Sequence, residues 1–302
     1  SRGLGDVYKR QKQNVGVVCG CGIRGIEKTA KGFTFHTKGG DFYATKCIMA
    51  TGGKTLKKSG SDGSGFLYLE SLGHHIIDLV PGLIGLKGKQ SFFADIAGIR
   101  ADVKVDLYIE STHVCSEQGE LQLTNYGISG IPVFQLSRIA TRALSEQKKV
   151  YATLNFVPFW EKEQCLTYFK ERFKKADEKH IGEALIGFFP EKLIPVLLEE
   201  SHIKAAKYAN RLQTEELERF IDTVQGLRVD ITDWNTFDTA QVTAGGVDTD
   251  EIDAETMESK LCPGLYFAGE MVDIDGICGG YNLQWAWSSG AVAGIHVARE
   301  LS

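Results

Sequence analysis

The sequence lacks the features that mark a membrane protein or a nucleic-acid-binding protein. No apolar run approaches the roughly 18 residues that span a bilayer, and the first residues have no apolar core like that of a signal peptide. Basic residues are fewer than acidic ones, 34 against 39, for a formal charge of −5. Nucleic-acid binding usually needs a basic surface. These shortages argue against nucleic acid or a membrane as a partner.

Paired cysteines are also missing. The seven cysteines are odd in number, and none stand in a C-x-x-C pair, which argues against a zinc ribbon or a thioredoxin-like redox pair. Reduced thiols are typical of cytoplasmic proteins, so we predict that location. The histidines stand without a nearby set of ligands, and we predict no metal site.

Glycine is scarce in one part of the chain and abundant elsewhere. Of the 34 glycines, only Gly182 and Gly187 fall between positions 158 and 225. This distribution indicates a glycine-rich ligand-binding scaffold interrupted by a helical insertion. Local patterns predict short strands over 14–53, a helix over 64–73, mostly β structure over 83–157 with a helix near 131–147, helices over 161–222, and strands over 227–243.

The string GCGIRG at 20–25 matches the dinucleotide-binding fingerprint G-x-G-x-x-G. A working fingerprint must open a helix, so that the N–H groups of its first turn face the phosphates. Only IEKTA separates Gly25 from the turn at Lys31-Gly32, and the residues beyond alternate like a strand. We therefore predict that GCGIRG is the edge of a β-meander. Asp41 is then expected in a hairpin turn and not against a ribose.

The C-terminal segment carries the strongest chemical signal. Residues 265–268 predict a buried strand that ends at Gly269-Glu270, where a carboxylate can accept hydrogen bonds from sugar or ribityl hydroxyls. Gly279 and Gly280 allow the backbone to approach a flat ligand, since no Cβ intervenes. Residues 281–283 then begin a helix whose free N–H groups favour negative charge. A well-packed strand–turn–helix unit without a ligand is the alternative interpretation of this segment alone.

Several strings together resemble one protein family. They are ATGGK at 50–54, GISG at 127–130 followed by QLSR at 135–138, QVTAGGV at 241–247, and GLYFAGEMVDIDGICGGYNLQWAWSSG at 264–290. In order and spacing they are similar to the YhiN/BaiN-like bacterial NAD(P)/FAD-dependent flavoproteins, sometimes labelled aminoacetone-oxidase-like. The resemblance extends over roughly 14–300, and the last string is long enough to be specific.

The resemblance implies an α/β fold, in which an FAD-binding Rossmann-like domain is split by a β-barrel domain that carries a small helical insert. The corresponding boundaries are 14–82 and 240–302 for the FAD domain, 83–158 and 224–239 for the barrel, and 159–223 for the insert. The family's cofactor-binding residues would map to Ala50, Thr51, Gly52 and Gly53 at a strand end, Gly269 and Glu270 at the ribityl–pyrophosphate part, and Gly279, Gly280, Tyr281, Asn282, Leu283 and Gln284 around the isoalloxazine ring.

One part of the family pattern has no counterpart before residue 14. Family members begin with a strand, a true G-x-G-x-x-G/A turn and a helix, followed by an acidic residue for the adenosine ribose. GCGIRG cannot stand in for them, and SRGLGDVYKRQ fits the family poorly. The expectation is therefore an N-terminally truncated chain that lacks the first βαβ unit, which puts FAD binding by this chain in question.

The resemblance implies an FAD-dependent oxidoreductase. NAD(P)H would reduce the flavin, which would pass hydride to a small unsaturated or carbonyl-bearing substrate. An oxidase of an amine-like substrate that produces hydrogen peroxide is the second enzyme hypothesis. A binding module without catalysis and an inactive fragment that cannot hold FAD also stay open.

Four further residues are candidates near the flavin. Tyr126, beside GISG, is the candidate for a catalytic role, because the resemblance places that loop at the flavin cavity. Cys278 is either a flavin contact or a small residue that fills a tight turn. Asp273 and Asp275 are too few for a metal site, and we expect them to shape their loop through local backbone hydrogen bonds.

Overall fold

The computed structural model describes residues 15–302. The prediction for the leading residues, SRGLGDVYKRQ, falls outside that range. The described chain begins with a three-stranded antiparallel sheet, formed by β1 (Ile23–Thr29), β2 (Gly32–Thr37) and β3 (Gly40–Ala44). Gly25 lies inside β1 opposite His36, so no helix follows GCGIRG and the prediction of a β-meander is confirmed. Asp41 lies in β3, just beyond the predicted turn, where its carboxylate bonds the His36 ring.

Two short parallel strands bring distant motifs to one edge. They are β4 (Cys47–Met49) and β13 (Leu265–Phe267), which pair in register. Because the carboxyl ends of parallel strands meet at the same edge of a sheet, the ATGG and AGE strings begin side by side. Around this pair lie helix α1 (Ser64–Ser71), the antiparallel strands β5 (Ile76–Gly82) and β12 (Val242–Val247), and the C-terminal helix α8 (Tyr281–Glu300).

A closed six-stranded barrel follows the first segment. The alternation in ADVKVDLYI predicts a strand with one face turned to the core. Val103, Val105 and Leu107 on that face are fully buried. The barrel strands are β6 (Leu86–Gly88), β7 (Arg100–Ile109), β8 (Thr112–Thr124), β9 (Gly127–Gly130), β10 (Val150–Asn155) and β11 (Leu227–Trp234), paired in the order β10–β11–β6–β9–β8–β7. Two helices lie in the same segment, α2 (Phe93–Ile96) and α3 (Ile131–Ser145).

The glycine-poor segment forms four helices between β10 and β11, as its composition predicts. They are α4 (Lys162–Lys174), α5 (Ile181–Leu185), α6 (Leu193–Glu200) and α7 (Thr214–Gly226). Helix α4 begins with a capping box, in which the Glu161 N–H donates to the Gln164 side chain at 2.9 Å. The strands predicted over 227–243 belong to different sheets, because β11 closes the barrel whereas β12 pairs with β5.

The buried side chains form two hydrophobic clusters. One is shared by the barrel and the four inserted helices, so the insert has no separate core. The other lies under the first sheet, the β4–β13 pair and α8. The domain boundaries given above remain a prediction. Along the described residues, every helix is too short or too polar to cross a membrane.

Candidate functional site

Three motifs that are far apart in sequence converge on the Glu270 carboxylate. The Gly53 N–H donates to Glu270 Oε2 at 3.0 Å, and the Thr243 N–H donates to Glu270 Oε1 at 2.7 Å. The Lys54 N–H in turn donates to the Thr243 hydroxyl at 2.7 Å. Strings ATGGK, QVTAGGV and AGE are therefore parts of one hydrogen-bonded unit. Glu270 is expected to bond a sugar hydroxyl, and in this structure both of its oxygens already accept backbone amides.

Close packing explains the glycines of the ATGG string. A Cβ on Gly53 would come within 2.3 Å of the Thr243 hydroxyl and 2.7 Å of Glu270 Oε2. Gly52 has a φ of +76°, in the left-handed region that favours glycine. Thr51 donates its hydroxyl to the Met271 sulfur at 2.8 Å. Gly53 therefore contacts the carboxylate directly, and none of residues 50–53 lines the nearby cavity.

The electrostatics of Glu270 combine two opposing effects. Burial raises the pKa of its carboxyl group above the ordinary value of 4.5, and the amides of Thr243 and Gly53 oppose that rise. The net shift is upward, so the folded protein binds this proton more tightly than the unfolded chain does. This carboxyl group therefore contributes less stability once it is ionised.

This shift predicts how stability changes with pH. Because the folded pKa is raised, the contribution of Glu270 is greatest below about pH 4.5 and is lost as the pH rises from there through the raised value. We expect the difference in free energy of unfolding between wild type and Glu270→Gln to fall over that interval and then level off, since glutamine does not titrate. Urea unfolding at a series of pH values measures it. A difference that increases with pH would show that the amide bonds outweigh burial.

A cavity of about 370 Å³ opens beside Glu270, at the start of α8. Its volume is within the range of small-molecule sites, about 300–1,000 Å³. Five residues predicted to bind the cofactor line it: Glu270, Gly279, Gly280, Asn282 and Leu283. Sequence analysis missed other wall residues, which include Leu83, Gln241, Val242, Ile277 and Trp285. Gln241 and Val242 belong to the QVTAGGV string, whereas no pattern in the sequence marks Leu83.

The first turn of α8 begins beside this cavity and has unpaired amides. Gly280 precedes the helix with φ 94° and ψ −1°, and no side chain caps the helix start. Bonding of the turn begins with the Gln284 N–H, which donates to the Gly280 carbonyl at 3.0 Å. The N–H groups of residues 281–283 thus have no acceptor within the helix. Together with the positive end of the helix dipole, they favour a ligand with negative charge or carbonyl oxygens at this end of the cavity.

The remaining predicted residues lie away from the cavity wall. Gly269 donates its N–H to the Ser289 hydroxyl and accepts a bond from the Trp285 indole, so it packs against α8. Tyr281 is 59% exposed. The side-chain amide of Gln284 donates to the Ser288 hydroxyl on the same helix at 2.9 Å. The cofactor-binding roles of these residues stay predictions.

Two candidates outside the main motif lie in different surroundings. The Tyr126 hydroxyl packs against Gly85, where an added Cβ would come within 2.6 Å of it, and Tyr126 is absent from the cavity wall. Cys278 does line the cavity, and burial raises the pKa of its thiol. This shift disfavours the reactive thiolate, and both interpretations of Cys278 stay predictions. The catalytic role of Tyr126 stays a prediction.

The expectation for Asp273 and Asp275 is wrong. Neither carboxylate forms the local backbone bonds predicted for this loop. Asp273 accepts the Gly245 N–H of β12 at 2.9 Å, and Asp275 pairs with Arg138 of α3 at 3.1 Å. The two acidic side chains attach the loop to neighbouring elements because those elements place a donor beside each of them.

Comparisons with known proteins identify relatives of this chain. The chain is 43% identical to a 3-dehydro-bile acid delta(4,6)-reductase of Clostridium scindens, over 94% of this chain and 69% of that protein. It is 28% identical to ribosomal RNA dihydrouridine synthases of Escherichia coli and Haemophilus influenzae, over 88% and 89% of this chain. The match spans 64% of the length of each of these two, less than two thirds. A profile of the HI0933-like protein Rossmann domain matches residues 7–296. The chain therefore belongs to the HI0933-like Rossmann-domain family.

Proposed function

We propose that this chain provides the flavin site and the substrate cavity of an FAD-dependent reductase, which uses NAD(P)H to reduce a small unsaturated or carbonyl-bearing substrate. The observation that carries the proposal is the uncapped first turn of α8 beside a cavity walled by Gly279 and Gly280. The resemblance to flavoproteins and the 43% identity to a reductase support it.

The residues of the cavity fit a flavin. A flat ring can approach Gly279 and Gly280 closely, because neither residue has a Cβ. The unpaired amides of Asn282 and Leu283, which line the cavity, suit an electron-rich ring edge. The side chains of Leu83, Val242 and Trp285 supply apolar surface on the other walls. FAD, when bound, supplies the hydride-transfer chemistry, while these residues orient it and stabilise negative charge.

The relatives favour a carbon–carbon double bond as the group reduced. The name of the 43% identical relative describes a reductase of a bile acid with double bonds at the 4 and 6 positions. Dihydrouridine likewise carries two more hydrogens than uridine, although the proteins so named are only 28% identical. The apolar wall suits a hydrophobic ring system, and the charge of −5 does not favour RNA. An apolar unsaturated ring acid is therefore the first substrate class to test.

Alkylation of two cysteines tests the cofactor site without needing turnover. Cys278 lines the cavity, whereas Cys115 lies on β8, and burial raises the pKa of both partly buried thiols. FAD is expected to slow iodoacetamide labelling of Cys278 and to leave the rate at Cys115 unchanged, as followed by mass spectrometry. Equal rates at Cys278 with and without FAD would place the flavin elsewhere or show that this chain does not hold it.

Turnover assays then separate the enzyme hypotheses. We expect NAD(P)H to be consumed without oxygen when a conjugated steroid enone acid is added, with the saturated product detected by mass spectrometry. Hydrogen peroxide formed from an amine without NAD(P)H would instead support the oxidase. If FAD slows the labelling of Cys278 but none of these compounds is turned over, the result would favour a binding module. An assay with uridine-containing RNA tests the reaction named for the 28% identical relatives.

A further inference from the structure

Residues 272–280, here termed the cavity loop, separate three spaces in the fold. Ile274 lines the 370 Å³ cavity, an open groove of about 510 Å³ beside α3, and an apolar cavity of about 230 Å³ under α8. Ile274 and Ile277 are 40% and 46% exposed, so their own packing does little to fix the loop. A shift of the cavity loop would reshape all three spaces together.

On the side away from α3, the cavity loop is attached near its start and at its centre. The Asp273 N–H donates to the Val247 carbonyl at 3.0 Å, and the Asn282 side chain bonds both the N–H and the carbonyl of Gly276. Gly276 lies at the second of these points, and Gly279 and Gly280 lie beyond it. None of the three has a Cβ that would restrict the backbone dihedral angles. Asp275 and Cys278, on either side of Gly276, take part in neither attachment, so their position depends on another element.

One face of α3 supplies that support. The Gln135 side-chain oxygen accepts the Cys278 N–H at 2.9 Å. Arg138 Nη1 donates to the Asp275 carboxylate at 3.1 Å and to the Asp275 carbonyl at 3.3 Å. Arg142 Nη2 lies 3.8 Å from Asp273 Oδ1. The spacing of 135, 138 and 142 puts the three side chains on one side of α3. The cavity loop runs along this side antiparallel to the helix.

Helix α3 is itself fixed to the barrel, so it can serve as a rigid support. Val133 and Ala140 are fully buried against the barrel core. Outside the barrel, its Thr141 hydroxyl donates to the Pro81 carbonyl of β5 at 3.0 Å, and its Ser137 hydroxyl accepts the N–H of Ile84, between β5 and β6, at 3.2 Å. The Asp275 side chain is only 12% exposed, so its charge depends on Arg138 more than a surface carboxylate would.

We propose that Gln135, Arg138 and Arg142 are positioning residues, which hold the cavity loop against α3 and so make the barrel set the shape of the adjoining cavity. The identity of the ligand in that cavity rests on the proposed function, whereas the positioning does not. Arg138 carries most of the effect, because it contacts both the side chain and the backbone of Asp275.

Hydrogen exchange of the cavity loop in the purified chain tests this positioning without any ligand. Arg138→Met is expected to speed exchange of the amides at 274–278 by about tenfold, because a charged hydrogen bond is lost. The amides of Val103 and Val105 in the barrel are expected to keep their rates. The control is Arg100→Met, which removes the exposed Arg100–Glu120 pair on the same barrel and should leave the cavity loop unchanged.

A charge exchange distinguishes positioning from general stability. The double variant Arg138→Asp, Asp275→Arg is expected to recover most of the slow exchange that either single substitution removes. The dissociation constant of FAD, measured by quenching of its fluorescence, is expected to rise in the single variants and recover in the double one. Faster exchange across the whole barrel, or no change in the cavity loop, would overturn the proposal. If wild type shows slow exchange but does not bind FAD, only the proposed function fails.

Discussion

Replacing Glu270 by alanine is expected to lower the free energy of unfolding by about 3 kcal/mol and to abolish measurable FAD binding. The substitution leaves the Gly53 and Thr243 amides without their acceptor in a partly buried position. Hydrogen bonds to a charged group contribute about 1.5–3 kcal/mol each, and release of a buried carboxylate offsets part of the loss. Urea unfolding gives the change in stability, and FAD fluorescence gives the change in binding.

Asp253→Ala is the control for this substitution. The Asp253 carboxylate also accepts two backbone amides, from Glu255 and Thr256, but in an exposed turn away from the cavity. We expect a smaller loss of stability and unchanged FAD binding. If Glu270→Ala were no more destabilising than Asp253→Ala, the carboxylate would not be what joins the three motifs. If the Glu270→Ala protein were destabilised but still bound FAD, Glu270 would support the fold without contributing to FAD binding.

The elements of the fold were predictable where their pattern is local. Val103, Val105 and Leu107 alternate along the chain, and that alternation suffices to predict a strand with one buried face. The short interval between Gly25 and the turn at Lys31-Gly32 likewise leaves too few residues for a helix after GCGIRG. Closure of the barrel was not readable from such patterns, since it depends on which strands pair.

The candidate site was predictable only in part, because its walls come from separate elements. Glu270, Gly279 and Gly280 lie in one long motif, and their part in the cavity follows from that motif. Leu83 reaches the same cavity from the start of the barrel, and an isolated leucine carries no signal of its role. The partner of Asp275 was equally hidden, because Arg138 precedes it by 137 residues.

The motifs of the family resemblance also gain a physical meaning from the structure. Gly53 has to be glycine because Thr243 and Glu270 occupy the space of a Cβ, and its amide has to point at the carboxylate. The strings that contain these residues are therefore mutually dependent. A change in one of them is expected to act on the others through the Glu270 carboxylate.

Gly280→Ala is expected to weaken FAD binding by about tenfold to a hundredfold, as overpacking of a site by one methyl group costs about 1–3 kcal/mol. The new Cβ meets no protein atom within 4 Å, yet Gly280 lines the cavity, so the methyl group takes space from the ligand. The backbone conformation also adds strain of about 1–2 kcal/mol in the folded protein. FAD titration and urea unfolding measure the two effects separately.

Gly60→Ala separates ligand exclusion from backbone strain. Gly60 has φ 97° and ψ −3°, nearly the conformation of Gly280, and its Cβ would also meet nothing within 4 Å. Both variants should therefore lose similar stability, and Gly280→Ala alone should lose affinity for FAD. Equal affinities would mean that the flavin does not approach the start of α8. In that case the unpaired amides of residues 281–283 would face some other ligand, and the proposed orientation of the flavin would be wrong.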